Sequence, residues 1–339
     1  EIFSKARDSA VYMTSEQMHR AVENALGKDW KHSHRIETLR EKPFASASIG
    51  QVHFLRLKNG KCYAMKVQFP GVRKAIDTDM ANLRFLSSLK LIPPGLFVDR
   101  IIDSLRAELH LECDYVREAR MQNSFREKIR RIPPNVKLPI TLNVPEILDA
   151  LSTDAVLTTE FCPGLPIDKV ALTLPQQTRD NLAHALLYVT LSELFHWKMM
   201  QTDPNFSNYL FDAQTNTLHF IDFGAARLYD PKFVRIYHDI VSAGISQDKP
   251  TLLQKSVDIG LLNGDENEKM KDAHYQAVLI LAEPFRAHGK FDFRRAKFSK
   301  GLLPHVKVMV KNRICPPPLE IYSLHRRLSG VFLLCNRLG

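Results

Sequence analysis

The stretch Gln201-Thr202-Asp203-Pro204-Asn205-Phe206-Ser207-Asn208, followed downstream by Ile221-Asp222-Phe223-Gly224, decides how this chain is read. The core of the first segment is D-x-x-x-x-N. An aspartate can accept a proton or orient a nucleophile, and an asparagine five residues on can bind a metal beside phosphates. Taken alone, Asp-Pro-Asn would read as a turn. Asp222 stands nineteen residues after Asp203, and Tyr209 to Phe211, a turn near Thr215-Asn216, and Leu218 to Ile221 between them have the pattern of a hairpin. A carboxylate at a strand end, freed by a following glycine, suits a hard cation such as Mg²⁺, which prefers oxygen ligands. A plain strand-end turn is the other reading.

Upstream, Ala45-Ser46-Ala47-Ser48-Ile49-Gly50-Gln51-Val52 has the spacing of a glycine-rich nucleotide loop, with alanine at the first two glycine positions. Glycine there lets backbone approach phosphates, and alanine narrows the allowed backbone. The loop opens a hairpin that turns at Asn59-Gly60 and returns through Cys62 to Val67. Lys66 lies on that return strand, sharing a face with Ala64. A lone strand lysine usually faces solvent, but Lys66 could also reach nucleotide phosphates. From Val98 to Ile132 the pattern is one long helix carrying Glu112, Asp114 and Glu118. At about 100° per residue, Glu112 and Glu118 sit about 120° apart and cannot both face one lysine from a continuous helix. Glu112 falls on a stripe with Ile101, Leu105, Leu109 and Val116, where a carboxylate needs a partner. Loop, strand lysine, acidic helix, D-x-x-x-x-N and Asp-Phe-Gly, in that order, point to nucleoside-triphosphate binding on a protein-kinase-like fold.

The bulk numbers agree. A chain of 339 residues predicts about two lobes. With 45% hydrophobic and 25% charged residues it is ordinary globular material, which excludes a disordered, collagen-like or disulfide-scaffold protein. The five cysteines, Cys62, Cys113, Cys162, Cys315 and Cys335, are scattered and form no CxxC, so they read as free thiols. No apolar run approaches the ~20 residues that span a bilayer. The chain opens on Glu1-Ile2-Phe3 rather than methionine and reads as an internal fragment. Thr14 and Gln17 form a capping box for a helix carrying Met18, Val22 and Leu26. Helical periodicity over Ala75 to Leu91 breaks at Pro93-Pro94-Gly95, and beyond Pro175 it dominates. The expected class is α+β and bilobal, with a β-containing N-terminal lobe over 1–162 and a mainly helical lobe over 163–339. A cleft between lobes is the usual place for a ligand.

The whole chain resembles the UbiB family of atypical protein-kinase-like proteins, in particular its eukaryotic coenzyme Q biosynthesis branch. The marks are Phe44 to Val52, Glu112-Cys113-Asp114-Tyr115 with Arg117-Glu118-Ala119, Gln201 to Asn205, Leu303-Pro304, Pro316-Pro317-Pro318 and Tyr322-Ser323-Leu324-His325-Arg326. The resemblance implies ATP or ADP with Mg²⁺ as cofactors, Lys66 as the phosphate-contacting lysine, Asp203 as the catalytic-loop aspartate, and Asn208 and Asp222 as metal ligands. It implies Ala45, Ser46, Ala47 and Ser48 as a nucleotide-facing loop that disfavours ordinary protein-kinase behaviour. It favours Glu118 as the partner of Lys66, and it makes Glu112 and Asp114 the family's ExD motif. The family meets that motif with a KxGQ motif on an N-terminal helical extension, which this sequence lacks and which is expected upstream of Glu1, so Glu112 is expected to lack its partner here. Gln201-Thr202 replaces the His-Arg usual before a kinase catalytic aspartate, and no Ala-Pro-Glu signature or long activation segment follows Gly224.

With 47 Lys and Arg against 37 Asp and Glu, the formal charge is +10. Nine of those cations lie between Arg286 and Arg313 beside Asp292 alone, interleaved with Phe291, Phe293 and Phe298 and just after Phe285. Solvated helix faces are the plain reading and anionic lipid the sharper one; no nucleic-acid recognition motif accompanies the charge. His34, His184, His196 and His274 have no metal-ligand spacing and read as structural or surface residues. The resemblance implies an ATPase or small-molecule or lipid kinase supporting coenzyme Q biosynthesis at the mitochondrial inner membrane. Anionic lipid and quinone-biosynthesis intermediates or proteins are the expected partners, with no nucleic acid. A catalytically weak nucleotide-binding scaffold is the alternative, and a protein kinase the less favoured one.

Overall fold

A computed structural model describes residues 12–87, 97–296 and 298–339. The Pro93-Pro94-Gly95 break and the end of the helix before it lie outside the described residues. The chain forms two compact units that alternate along the sequence. The first takes the described residues up to Asp79, then Arg106–Ile167 and Ser207–Ala225; the second takes those between Met80 and Leu105, then Asp168–Phe206 and Ala226–Gly339.

In the first unit, helix α1 (Ser15–Leu26) starts at the capping box, where Thr14 accepts from the Gln17 backbone and Gln17 returns the bond. Its Met18 and Val22 are buried against Leu55, Met65, Val67 and Val156. Those residues line one face of an antiparallel sheet in the order β1 (Ile36–Leu39), β3 (Gly50–Leu57), β4 (Cys62–Gln68), β6 (Val156–Glu160), with β2 (Ala45–Ser46) also on β3. The β3–β4 register pairs Val52 with Lys66 and Gly50 with Gln68, and the turn places Gly60 at φ +83°. Because side chains alternate along β4, Met65 and Val67 enter the core and Lys66 leaves it on the opposite face.

Helix α2 (Val72–Ser87) follows, but the expected continuous helix over 98–132 is two helices, α3 (Val98–Glu112) and α4 (Tyr115–Arg130). The break has a local cause: Asp114 is the N-cap of α4, accepting from the Arg117 N–H at 2.9 Å. The expected apolar stripe is corrected as well, since Ile101 and Val116 are exposed and Ile102 is buried instead. A second sheet orders β5 (Thr141–Asn143), β10 (Thr217–Phe220), β9 (Tyr209–Asp212) and β7 (Leu165–Pro166). The β9–β10 hairpin, turning at Asn216 with φ +51°, delivers the chain to Asp222.

The second unit is mainly helical. Helix α5 (Gln176–Ser192) ends in a π-helical turn over Glu193–Trp197 and a left-handed Lys198, then enters β8 (Met199–Gln201), which pairs with β11 (Ala226–Leu228). Helices α6 (Pro231–Ser246), α7 (Lys249–Asp258), α8 (Glu268–Arg286), α9 (Phe298–Asn312) and α10 (Leu319–Leu338) complete it. Leu194, Met200, Tyr229, Val234, Leu252 and Leu324 belong to its core. Phe291, Phe293 and Phe298, interleaved with basic residues in sequence, turn inward. They pack together with Phe332, at ring-centroid distances of 4.9–6.1 Å, in a second apolar cluster. Among the described residues no helix is long and apolar enough to cross a membrane.

Candidate nucleotide site

The loop before β3 is short and closed. Ala47 N–H donates to the Gly50 carbonyl at 2.9 Å, and Phe69 N–H donates to the Ile49 carbonyl at 2.9 Å, which anchors the turn to the end of β4. A Cβ on Gly50 would lie 2.4 Å from the Val67 carbonyl oxygen, so this glycine is demanded by the approach of β3 to β4. At the tip, the Ser48 hydroxyl donates to the Glu112 carboxylate at 2.5 Å. Glu112, expected to lack its partner here, therefore has one in the loop itself.

Lys66 is the centre of the first unit's polar cluster. Its ammonium donates to Glu118 at 3.1 and 3.2 Å and to Asp222 at 3.3 Å, and stands 5.1 Å from the Tyr115 ring centroid. Exposure falls from 30% at the Asp222 side chain to 13% at Lys66 and 1% at Glu118, so the cluster has one wet end, at Asp222. Burial opposes the lysine charge, but Asp222 and Glu118 outweigh it and hold the ammonium well above its usual range. Burial pushes the Glu118 carboxyl up to about 6, against the pull of Lys66 and the Phe223 N–H. As the helix geometry required, only one of the two glutamates faces the lysine: Glu118 meets Lys66 while Glu112 meets the loop.

The Asp222 turn is held from several sides. Gly224 N–H donates to the Asp222 carboxylate at 3.0 Å, Arg117 donates to the Gly224 carbonyl at 3.0 Å, and the buried Phe223 ring packs on Phe125 at 4.9 Å. A Cβ on Gly224 would lie 3.3 Å from both Glu112 Cγ and Glu118 Oε2. Asn208 joins this turn through its carbonyl, which accepts from the Ile221 N–H at 3.1 Å. One amide oxygen and one carboxylate are the hard donors that Mg²⁺ takes, leaving its other positions to phosphate and water. One ammonium between two carboxylates also leaves a negative balance that a divalent cation would offset. The residues present thus fit a Mg²⁺–nucleotide.

Asp203 belongs to the second unit. Its N–H donates to the Gln201 side chain, and its carboxylate accepts from the Asn205 N–H at 3.2 Å, a local turn that fixes its orientation. Lys66, Glu112, Asp114, Glu118, Asn208, Asp222 and the Ala45–Ser48 loop all lie in the first unit.

An ABC1 atypical kinase-like domain model matches residues 5–256. The chain belongs to the ABC1 atypical kinase-like family. Among relatives, it is 40% identical over 339 residues to "Atypical kinase COQ8B, mitochondrial" of Danio rerio, covering all of this chain and 53% of that protein. It is 41% identical over 343 residues to "Atypical kinase coq-8, mitochondrial" of Caenorhabditis elegans, covering all of this chain and 44% of that one. The chain thus spans about half the length of these relatives. Among solved structures, the Rv3197–erythromycin complex from Mycobacterium tuberculosis superposes with a TM-score of 0.70 at 23% identity, over all of this chain and 83% of that one, which establishes the common fold.

Within this ABC1 domain, three site features escaped the sequence reading. Ser48 was read only as part of a loop, Arg117 only as a family mark, and Tyr115 was given no place beside Lys66. Asp114 carried an available signal, since aspartate three residues before a helical N–H donor is a cap pattern. Nothing in local sequence announces the Ser48–Glu112 bond, which joins positions 64 residues apart.

Proposed function

We propose that this chain is the nucleotide-binding core of an atypical kinase or ATPase that supports coenzyme Q biosynthesis at the mitochondrial inner membrane. The observation that carries the reading is the Lys66 ammonium held between Glu118 and Asp222 with Asn208 on the same turn. Lys66 contacts the nucleotide phosphates while Glu118 keeps it charged and aimed. Asn208 and Asp222 hold Mg²⁺, which supplies charge neutralisation at the phosphates. Asp203 orients the attacking water or hydroxyl and accepts its proton. The mitochondrial setting is supported by the relatives' names, and the pathway by the resemblance to the UbiB branch.

The acceptor we infer is water or a small membrane-borne molecule rather than a peptide. After Gly224 the chain enters β11 within two residues and begins α6 at Pro231, which leaves no long activation segment for peptide docking. Anionic lipid is the membrane partner we infer. Leu303 and Val306 on α9 are 54% and 41% exposed and flanked by exposed Lys300, Lys307 and Lys311. Prenyl-quinone intermediates or the proteins that handle them are the remaining partners.

The test is turnover with product identification, with and without anionic liposomes and a quinone-precursor mimic. Asp203→Asn should retain ADP binding while kcat falls on the order of 10²–10⁴-fold. Equal ATP consumption by Asp203→Asn and parent would remove Asp203 from its role. A catalytically weak nucleotide-binding scaffold would differ in the readout: stabilisation by ATP and ADP with background hydrolysis, even on membranes.

A further inference from the structure

The sequence singled out Ser323, His325 and Arg326 as family marks, and the nucleotide site uses none of them. In the structure, α10 lies against the segment that carries Asp203, and both belong to the second unit. Ser323, Arg327, Gly330 and Arg337 are spaced by four, three and seven residues, one stripe of a helix. Each touches that segment or its support. A Cβ on Gly330 would lie 2.2 Å from Pro204 Cβ and 3.2 Å from Pro204 Cα, so the helix backbone sits directly on the residue after Asp203. The buried Arg327 guanidinium donates to the buried Glu193 carboxylate at 3.3 Å and to the Thr190 hydroxyl at 3.4 Å. Glu193 in turn accepts from the Gln201 backbone N–H, two residues before Asp203. The Arg337 guanidinium stands 5.0 Å over the Phe206 ring. Ser323 Oγ accepts from Arg227 at 3.1 Å and lies 3.1 Å from the Tyr229 hydroxyl, beside the strand that pairs with β8.

We propose that α10 is the positioning element of the Asp203 loop, with Gly330 setting its height through Pro204 and Arg327 setting its entry through Glu193. The inference rests on Asp203 having the role assigned above. Two features are otherwise hard to account for. A glycine inside an exposed helix costs about 1 kcal/mol relative to alanine, and this one is interior to α10. A buried ion pair adds little stability compared with an apolar pair of similar volume. Both make sense as geometric constraints, since a misplacement of about 1 Å at a reacting centre can cost about 10²-fold in rate.

Two variants test this. Gly330→Ala puts a methyl group into Pro204. The double variant Glu193→Leu with Arg327→Met keeps the volume apolar and removes the link to Gln201 without leaving a buried charge. In each, ATP turnover, KM, thermal midpoint and amide exchange over Gln201–Phe206 are measured. The expected result is kcat lower on the order of 10²-fold with KM for ATP unchanged, faster exchange over that segment, and a thermal midpoint in the double variant lowered only modestly, by the loss of the acceptor for the Gln201 N–H. Should Gly330→Ala fail to fold, the double variant carries the test alone. A folded variant with parental kcat and parental exchange overturns the proposal. If the parent itself shows no turnover, the catalytic reading of Asp203 fails, while exchange over Gln201–Phe206 still decides whether α10 fixes the loop.

Discussion

Gly50 separates two reasons for a glycine. Its place in a nucleotide-loop pattern argued for phosphate approach, whereas its backbone is pressed against the Val67 carbonyl. Gly50→Ala should therefore destabilise the first unit by roughly 1–3 kcal/mol, read as a lower urea midpoint without any nucleotide present. At Ala47 the matching change runs the other way: Ala47→Gly widens the allowed backbone and should loosen the Ala47–Gly50 turn. The expected outcome is altered ATP-versus-ADP preference in a thermal-shift titration. His274 offers a residue-scale pH test. Burial, with Arg313 and His325 nearby, pushes its imidazole down to about 4, while Glu266 pulls the other way; its Nε2 lies 2.8 Å from Ser256 Oγ. The native imidazole stays neutral where the unfolded one takes a proton, so its contribution is whole above about pH 6.5 and is lost as pH falls toward 4. The unfolding free energy of the parent minus that of His274→Asn should fall by roughly 3 kcal/mol across that window. A pH-independent difference would refute the assignment.

At the scale of elements, the sequence was most legible where a period met a cap or a turn. The capping box at Thr14, the Asn59-Gly60 hairpin and the turn before β10 are all present. The long helix over 98–132 was misread because the apolar spacing bridged the Cys113–Asp114 break, and a cap inside a run of helix-formers leaves the period almost intact. Asp114→Ala should cost about 1 kcal/mol and loosen the first turn of α4, which carries Glu118. Nucleotide affinity should weaken along with the thermal midpoint. Short strands such as β1, β5, β8 and β11 were not read at all. They hold three or four residues each, too few for a period-2 signal, and exist because a neighbouring strand completes their hydrogen bonds.

For the whole molecule, charge and burial had to be separated. Nine cations lie between Arg286 and Arg313, and of the phenylalanines among them Phe293 is core, with Phe291 and Phe298 packed against it. Lys300, Leu303, Lys307 and Lys311 on α9 are exposed and are the residues proposed to meet anionic lipid. Lys300→Glu, Lys307→Glu and Lys311→Glu together should abolish cosedimentation with anionic liposomes, since each exposed cation contributes about 1 kcal/mol, while leaving the thermal midpoint within a degree or so. Binding that survives both this change and high salt would place the membrane contact elsewhere. The candidate site was legible because kinase-like chemistry uses few residue types in a fixed order. The contacts that stabilise its parts were not, because they join distant positions.

The alternation of the two units along the chain bears on how the protein comes into being. Lys66 meets Asp222 across 156 residues, and the first unit takes its last strands from Ser207–Ala225. A chain emerging from the ribosome therefore cannot close that unit until residue 225 or so has been made, by which point α5 and β8 of the other unit are already out. Such long-range closure slows folding and leaves sheet edges open to wrong pairing. Synthesis of this protein is accordingly the stage at which chaperone dependence should be greatest, and a nucleotide that bridges Lys66 and Asp222 would act there as a folding ligand as well as a substrate.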